Sequence, residues 1–517
     1  MANVQLFNTS RGAFVPAANA VNEAGGLAYA MAPEHALAQY AATGCLNGTF
    51  YATAQTQLQT LLDLCAQVSP EAVAKTAVYC RERGYMKDTP ALLAAVLANK
   101  APHLLAPVFG RVIDNGKMLR NFVQIMRSGV TGRKSLGTRP KKLVQQWLNT
   151  ASEKQLLAAA VGNAPSLADV VKMVHPKPAE AWREAFFAWL IGKPVASDTL
   201  PPVLRAYQQY KLDRTLEVPE VPFQMLTALE LDCHDWAIIA RAAGWHMVRM
   251  NLNTFVRHGV FEVPGMAAVV AAKLADPQAI AKARVFPYQL LSAYKAAGEG
   301  VPHVVREALQ DAMELATANV PQFEGRVVVC PDVSGSMASA ATGYRPGATS
   351  VVRCIDVAAL VAAAVLRKNR DARVLPFAVD VVDVALNPRD SVMSNAQKLA
   401  DIGGGGTNCA APLARLNRER ALADVVIYVS DNESWLGGPR HGATGTMQQW
   451  AAFKQRNPRA KLVCIDITPY ATTQAVERED ILNVGGFSDE VFKIIAAFAA
   501  GQLGAGHWQS VIADTVL

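Results

Sequence analysis

The spacing of apolar residues changes character at Glu324, and that change sets the architecture. Before it, apolar residues recur at helical intervals over Pro33 to Gly44, Ala54 to Gln67, Pro70 to Gly84, Thr89 to Asn99, Lys141 to Thr150, Glu180 to Ile191, Val221 to Ala243 and Pro302 to Ala318. Strand signals are scarce there. Pairs of amphipathic helices joined by short breaks predict a stacked helical array, an α-solenoid whose curved core leaves a concave surface for a long ligand, although no strict sequence period is present. After Glu324, strands at Arg326 to Pro331, Ala372 to Phe377, Val379 to Leu386, Asp424 to Ser430 and Lys461 to Ile467 alternate with helices at Val351 to Lys368, Ser391 to Asp401, Cys409 to Arg420, Thr446 to Asn457 and onward from Ser488. Such alternation predicts a doubly wound α/β domain. The expected organisation is a mainly α chain, with a helical domain over residues 1–320 and an α/β domain over residues 321–517.

The densest chemistry lies where the first of these strands ends. Asp332, Ser334 and Ser336 follow the apolar run Val327 to Cys330, spaced as Asp-x-Ser-x-Ser. One carboxylate and two hydroxyls supply hard oxygen ligands with little charge, which suits Mg²⁺ or another hard divalent cation with positions left open. Ligands in open α/β sheets bind beyond the carboxyl ends of the strands, so the rest of the set is expected on later loops at that edge. Thr407 follows the run Gly403 to Gly406, and Asp431 ends a second buried strand. This combination resembles the metal-ion-dependent adhesion site of von Willebrand factor A domains. The resemblance implies Ser334, Ser336 and Thr407 as hydroxyl ligands, direct or through water, with Asp332 and Asp431 supplying charge. It also implies one position for an incoming carboxylate from an acidic protein partner; the alternative is an ion that only orders its own loops.

Composition narrows the class further. With 51% hydrophobic and 18% charged residues over 517 positions, the chain has enough apolar material for several buried cores. The longest uninterrupted apolar run, Val357 to Leu366, is far short of the roughly 20 residues a spanning helix needs, and no secretory leader pattern opens the sequence. No membrane association is expected, and a cytoplasmic location is. The eight cysteines fall without C-x-x-C pairs, as reduced core thiols do. Cys233, His234 and Asp235 adjoin in sequence, but neighbours on a helix point in different directions, so no catalytic thiol is expected.

Charge is distributed unevenly. From Arg81 to Lys193 there are 18 Lys and Arg against 7 Asp and Glu, a net of +11, whereas from Gly325 to the end there are 19 against 18. Within the basic segment, Arg127, Arg133, Lys134, Arg139, Lys141 and Lys142 fall inside 16 residues, with Gly129, Gly132, Gly137 and Pro140 holding several of them off a regular helix. Such a loop can follow a phosphate backbone; a solvated face with a helix starting at Lys141 is the other reading.

A helical half fused to an α/β domain carrying Val333 to Met337 and Ser430 to Trp435 resembles the Ro ribonucleoprotein family. Supporting stretches run in order: Asn22 to Gly26, Leu46 to Tyr51, Gly132 to Lys134, Leu167 to Lys172 with His175 to Pro178, and Phe286 to Leu291. The resemblance covers most of the chain. It implies a ring of HEAT-like repeats, the TROVE domain, closed by the von Willebrand factor A domain. It further implies structured Y-type RNA on a basic outer surface, single-stranded RNA ends in the central hole, a 3′ exoribonuclease partner and a monomeric ring. His175, beside Lys172 and Lys177, matches the family's His-x-Lys-Pro segment implicated in RNA contact; a capped helix end is the plainer reading of the same histidine. The helix from Glu153 to Val161 departs from the family by carrying only Lys154 as a base. Arg249 and Arg257 sit in another family-like segment, where channel contact and helix packing are both open.

Three function classes remain from the sequence. The leading expectation is a non-enzymatic RNA-binding ring that scaffolds RNA processing or quality control. The second is a metal-dependent protein-binding adaptor without RNA. A metal-assisted hydrolase ranks last, because a single ion without paired acidic ligands or a nearby general base makes a poor nuclease site. No GxxxxGK[ST] motif is present, and Gly403 to Gly406 is not followed by the Lys and Ser/Thr that phosphate cradling needs.

Overall fold

The computed structural model describes residues 15–44, 46–283, 287–317, 320–341, 352–436, 441–503 and 506–517. Helix starts follow side-chain chemistry. Thr53, Ser69, Asn115, Ser152, Ser166 and Asp232 each accept a backbone N–H of the first turn, satisfying donors that the helix itself leaves unpaired.

Two short strands, β1 (Ala20–Val21) and β2 (Leu27–Ala30), come first. Ten helices follow: α1 (Pro33–Thr43), α2 (Ala54–Gln67), α3 (Pro70–Glu82), α4 (Asp88–Lys100), α5 (Pro102–Val112), α6 (Gly116–Ser128), α7 (Thr138–Thr150), α8 (Glu153–Ala160), α9 (Leu167–Val174) and α10 (Ala181–Leu190). The helical part continues with α11 (Pro202–Leu212), α12 (Phe223–Leu226), α13 (Cys233–Ala242), α14 (Trp245–Met250), α15 (Leu252–Arg257), α16 (Met266–Leu274), α17 (Pro277–Ala283), α18 (Pro287–Ala296) and α19 (His303–Ala316).

Beyond these the pattern alternates: β3 (Val327–Pro331), α20 (Cys354–Lys368), β4 (Arg373–Val374), α21 (Val392–Ala400), α22 (Ala411–Arg418), β5 (Val425–Ser430), α23 (Gly445–Arg456) and β6 (Lys461–Asp466). The chain ends with β7 (Thr472–Thr473), β8 (Ile481–Gly485), α24 (Asp489–Ala499) and α25 (His507–Ala513). Strands pair in the order β4-β3-β5-β6-β8, all parallel, with Pro331 opposite Val429 and Ser430 opposite Asp466. Val327, Val329, Ile427, Val463 and Ile465 face one side with α20 and α24, while Val328, Cys330, Tyr428, Leu462 and Cys464 face the other with α22 and α23. Helices therefore cover both faces, as a parallel sheet requires.

Both ends of the helical run dock on this domain. Helix α1 meets β8 and α3 meets α25 at one end; α18 meets α20 and α19 meets α21 at the other. The seams are specific. Trp508, fully buried, donates from Nε1 to the Tyr79 hydroxyl at 3.0 Å. Lys295 reaches the buried Asp356 at 2.9 Å, and Glu314 pairs with Arg367 at 3.0 Å. Strand β2 also pairs antiparallel with β7, so residues near the start of the chain share a small three-stranded sheet, β1-β2-β7, with residues near its end.

Several expectations are corrected. Val379 to Leu386 forms no strand: after β4, at the sheet edge, the chain reverses through a Phe377–Val381 bridge and finds no further partner, leaving Val379 52% exposed. The helix expected over Val221 to Ala243 is broken, because Asp232 and Asp235 form a capping box that starts α13 anew. Helix α7 begins at Thr138, not Lys141, since Pro140 in its first turn lacks only an N–H that would be unpaired there anyway. Strand β8 and α25 went unread in the sequence. Ala318, Val351 and Phe286 lie outside the described residues. The seven described cysteines are free, and no described helix is long and apolar enough to cross a membrane.

Trp508→Ala should undock α25 from α3 and cost about 3–5 kcal/mol. Tyr79→Phe should cost about 0.5–1.5 kcal/mol by removing only the hydrogen bond. Denaturant unfolding midpoints check both.

Candidate metal centre and basic face

Strands β3 and β5 are neighbours at the point where strand order reverses, so the residues that follow them share one crevice. Asp332 is tied to β5 by its own N–H, which donates to the Val429 carbonyl at 2.9 Å. Its carboxylate accepts from Ser334 N–H at 2.8 Å and from the Ser430 hydroxyl at 2.6 Å. The Ser334 and Ser336 hydroxyls lie 3.3 Å apart. The glycine loop is stitched to the same place: Gly404 N–H donates to the Val333 carbonyl and Gly335 N–H to the Gly405 carbonyl, each at 2.9 Å. The Thr407 carbonyl then accepts from Trp435 and Leu436 N–H at 3.1 and 3.0 Å, which holds the loop after β5. Asp332, Ser334, Ser336, Thr407 and Asp431 are thus drawn into one loop cluster, each at most 4% exposed.

Gly404 and Gly405 sit at φ +124° and +85°, a region side chains resist, and a Cβ on Gly406 would overlap Leu436 and Trp435. These glycines let the loop approach closely.

The cluster is acidic. Burial and the neighbouring Asp431 push the Asp332 carboxyl up to about 7, despite the bonds from Ser334 and Ser430. Burial raises Asp431 as well, partly offset by Ser336. Glu433 is pushed up to about 8 by burial and by Asp431, and burial raises Asp466 strongly. Among the described residues, none of these four carboxyls forms an ion pair with a Lys or Arg. Two buried carboxylates without a cation, flanked by three hydroxyls, are a donor set that fits Mg²⁺. Asp332, Asp431, Ser334, Ser336 and Thr407 would hold it, and it would supply the missing positive charge. Among the described residues no three His, Cys, Asp or Glu side chains gather around one point, so hydroxyls and water would complete its shell.

The sequence reading missed what covers this crevice. The turn following β1 lies on the β5 loop: Asn22 Nδ2 donates to the Ser434 carbonyl at 2.9 Å, and Ala24 N–H to Glu433 at 3.1 Å. A Cβ on Gly26 would stand 2.0 Å from the Ser434 oxygen. Tyr470 donates to Thr49 at 2.9 Å, and its ring meets Tyr51 at 6.3 Å. Burial and Asp431 raise the Tyr51 phenol, against a bond to Ser336. The motifs at Asn22 to Gly26 and Leu46 to Tyr51 were the available signal, but long-range contact leaves no mark in spacing.

The basic candidates gather elsewhere. Arg127 is in the last turn of α6, Arg133 and Lys134 lie in the following loop, and Arg139, Lys141 and Lys142 occupy the start of α7. Lys172 is in the last turn of α9, with His175 and Lys177 just beyond it. Helix α9 packs on both α6 and α7, and Gln145 and Asn149 of α7 donate to the carbonyls of Val174 and Lys177 at 2.6 and 3.4 Å. All of these cations are exposed except Arg133 and Lys141, which are half-buried. His175 caps α9 in a left-handed conformation, φ 51°, with an exposed side chain. Arg257 is exposed and bonds Thr254 at 3.2 Å; Arg249 instead is half-buried and lines a cavity. Asp235 serves the α13 capping box, so Cys233 and His234 gain no third member.

Helical layers closed by a doubly wound domain with this loop cluster define a von Willebrand factor A-type architecture on a helical array. The model described as the Ro60 vWA domain matches residues 326–499. The chain is 28% identical over 520 aligned residues to the RNA-binding protein RO60 of Deinococcus radiodurans, covering 93% of this chain and 95% of that protein. It is also 20% identical over 250 residues to the RNA-binding protein RO60 of Caenorhabditis elegans, covering 45% of this chain and 37% of the other. The crystal structure of the Deinococcus radiodurans RO (RSR) protein superposes with a TM-score of 0.62 at 24% identity, over 91% of this chain and 100% of that one. Residues 326–499 thus match a Ro60-type vWA domain, and over most of its length the chain is similar to Ro proteins.

Without a cation, repulsion in the crevice should grow as its carboxyls ionise. An acid whose folded pKa lies above its unfolded value binds more protons when folded, so stability falls as pH rises between the two. In EDTA, Tm should drop from pH 5 to pH 8, Asp332→Asn should blunt that drop by at least about 2 °C, and Mg²⁺ should reverse it in the unmutated protein only. Thermal unfolding across pH checks this.

Proposed function

We propose that this chain is a non-enzymatic RNA-binding ring. The observation that carries the reading is the basic corner of α6, α7 and α9, where among the described residues the exposed cations form no salt bridge and Asp169 lies near Arg127 and Lys172, in a chain whose relatives are named RNA-binding proteins. Arg139, Lys141 and Lys142 stand at the start of α7, where free N–H groups add positive potential. Side-chain and helix charge there point the same way, an arrangement that repels itself unless an anion is present. Phosphates of a structured RNA answer it, with A-form shape and unpaired loops read more than sequence.

In this reading a small Y-type RNA lies on the outer basic face and single-stranded RNA ends enter the central hole, so that the ring presents RNA to a 3′ exoribonuclease in the cytoplasm. Mg²⁺ at Asp332, Ser334, Ser336, Thr407 and Asp431 steadies the loops that meet the turn following β1. An acidic protein ligand reaches that ion only if the segment bearing Thr49 and Tyr51 moves, which makes the metal-dependent adaptor the second reading.

Each phosphate neutralised releases counterion, so affinity should fall steeply with salt. Changing Arg133, Lys134, Lys141 and Lys142 together to Ala should weaken binding of a small hairpin RNA and reduce the slope of log K against log salt by about 3. Fluorescence anisotropy from low to physiological salt measures it, alongside recovery of RNA crosslinked in the native cell. If no RNA is enriched over a control, the adaptor reading takes its place.

A further inference from the structure

Residues 46–53, the loop between α1 and α2, carry one side chain of the helical half into the crevice beyond β3 and β5. The Tyr51 hydroxyl is within hydrogen-bonding reach of the Ser336 side chain, and the charges of Asp431, Glu433 and Asp332 all act on it. Asp332, Ser334, Ser336, Thr407 and Asp431 are buried, whereas Tyr51 is half-buried. A half-buried phenol in contact with a buried hydroxyl stands between that hydroxyl and water.

Thr49 sets the shape of this loop. Its N–H donates to the Ala52 carbonyl at 2.8 Å, and its hydroxyl accepts from the Ala52 N–H at 3.1 Å. The same hydroxyl accepts from Tyr470 at 2.9 Å, and the Tyr470 ring meets the Tyr51 ring at 6.3 Å. Tyr470 lies just beyond β6, so the α/β domain grips the loop through this tyrosine. Other features weaken the grip. Leu46 enters the loop at φ 54°, a left-handed conformation that a leucine side chain resists. Phe50, whose ring meets Tyr51 at 4.7 Å, is 56% exposed, so the apolar surface between Thr49 and Tyr51 is poorly buried. A segment held by polar contacts and ring edges, with little burial, is one that a competitor can displace.

We propose that Tyr51 closes the cation site from within the chain: held over Ser336 by the clasp of Tyr470 on Thr49, its hydroxyl occupies the approach that a carboxylate from outside would need. This rests on the reading that Asp332, Ser334, Ser336, Thr407 and Asp431 hold a hard divalent cation, and deepens it by making the site self-closed. A hydroxyl both donates and accepts, so it suits the crevice whether a cation is present or not. A carboxylate is repelled by the empty acidic crevice and gains over the phenol only beside a cation. Recruitment at the crevice then needs two conditions, a bound cation and a released loop. Helix α1, which leads into the loop, docks on β8, so release of the loop also bears on one of the seams where the helical run meets the sheet.

Mn²⁺ serves as the test cation, because its relaxation of water protons reports whether exchanging water reaches it, and acetate serves as the carboxylate. In the full chain, bound Mn²⁺ should relax water more strongly in Tyr51→Ala than in the unmutated protein. Acetate should suppress that relaxation at a concentration at least about tenfold lower in the variant, because no loop has to be displaced first. Tyr470→Phe, which releases Thr49 without removing a group from the crevice, should shift both readings in the same direction, and it decides the matter if Tyr51→Ala fails to fold. Mn²⁺ that binds all three proteins with the same relaxation and the same acetate response overturns the gate and leaves the cation site standing. Loss of Mn²⁺ in Tyr51→Ala also overturns the gate, since Tyr51 would then help to hold the ion. No Mn²⁺ bound by the unmutated chain, or binding that survives Asp332→Asn, overturns the cation site and the gate with it.

Discussion

Trp508 beneath Tyr79 at one end of the helical run, and Lys295 on the buried Asp356 at the other, are the contacts through which one α/β domain holds both ends of a long array of helices. Most helices in such an array touch only near neighbours, so its curvature is set locally and its ends are free to drift. Docking both ends on one rigid sheet removes that freedom. A single core runs from α1 through the helices to the β3, β5 and β6 face that carries α20 and α24. Closure also brings the β1–β2 turn onto the loop after β5, so the crevice and the helical array are parts of one assembly.

Charge is segregated by that closure. Acidic groups are gathered and buried beyond β3 and β5, where desolvation and mutual repulsion hold protons on them or call for a cation. Basic groups gather on the surface of α6, α7 and α9, where water screens them. The two do not neutralise one another because they lie on different elements of a closed chain.

Much of the fold could be read from local pattern. Helices α2 and α20 and strands β3, β5 and β6 stand within a few residues of where apolar spacing put them, because burial of one face or of both imposes its own period. The crevice residues were legible for a related reason: the end of a buried strand is where the chain must turn and polar side chains collect. Errors arose where a partner was needed. Val379 to Leu386 has strand composition but lies past the sheet edge, and Val221 to Ala243 has helical spacing but is interrupted by the Asp232 cap.

The sequence by itself determined the two-part architecture, the position of Asp332, Ser334, Ser336, Thr407 and Asp431 at strand ends and loops, and the concentration of positive charge between Arg81 and Lys193. Those properties follow from composition and short-range spacing. Only the tertiary structure decided that Asn22 and Ala24 would rest on Ser434 and Glu433, and that α9 would bring Lys172 beside the cations of α6 and α7. Each of these joins residues far apart in the chain. Such contacts are selected by the shape and solvation of whole packed elements, which no local run of sequence encodes.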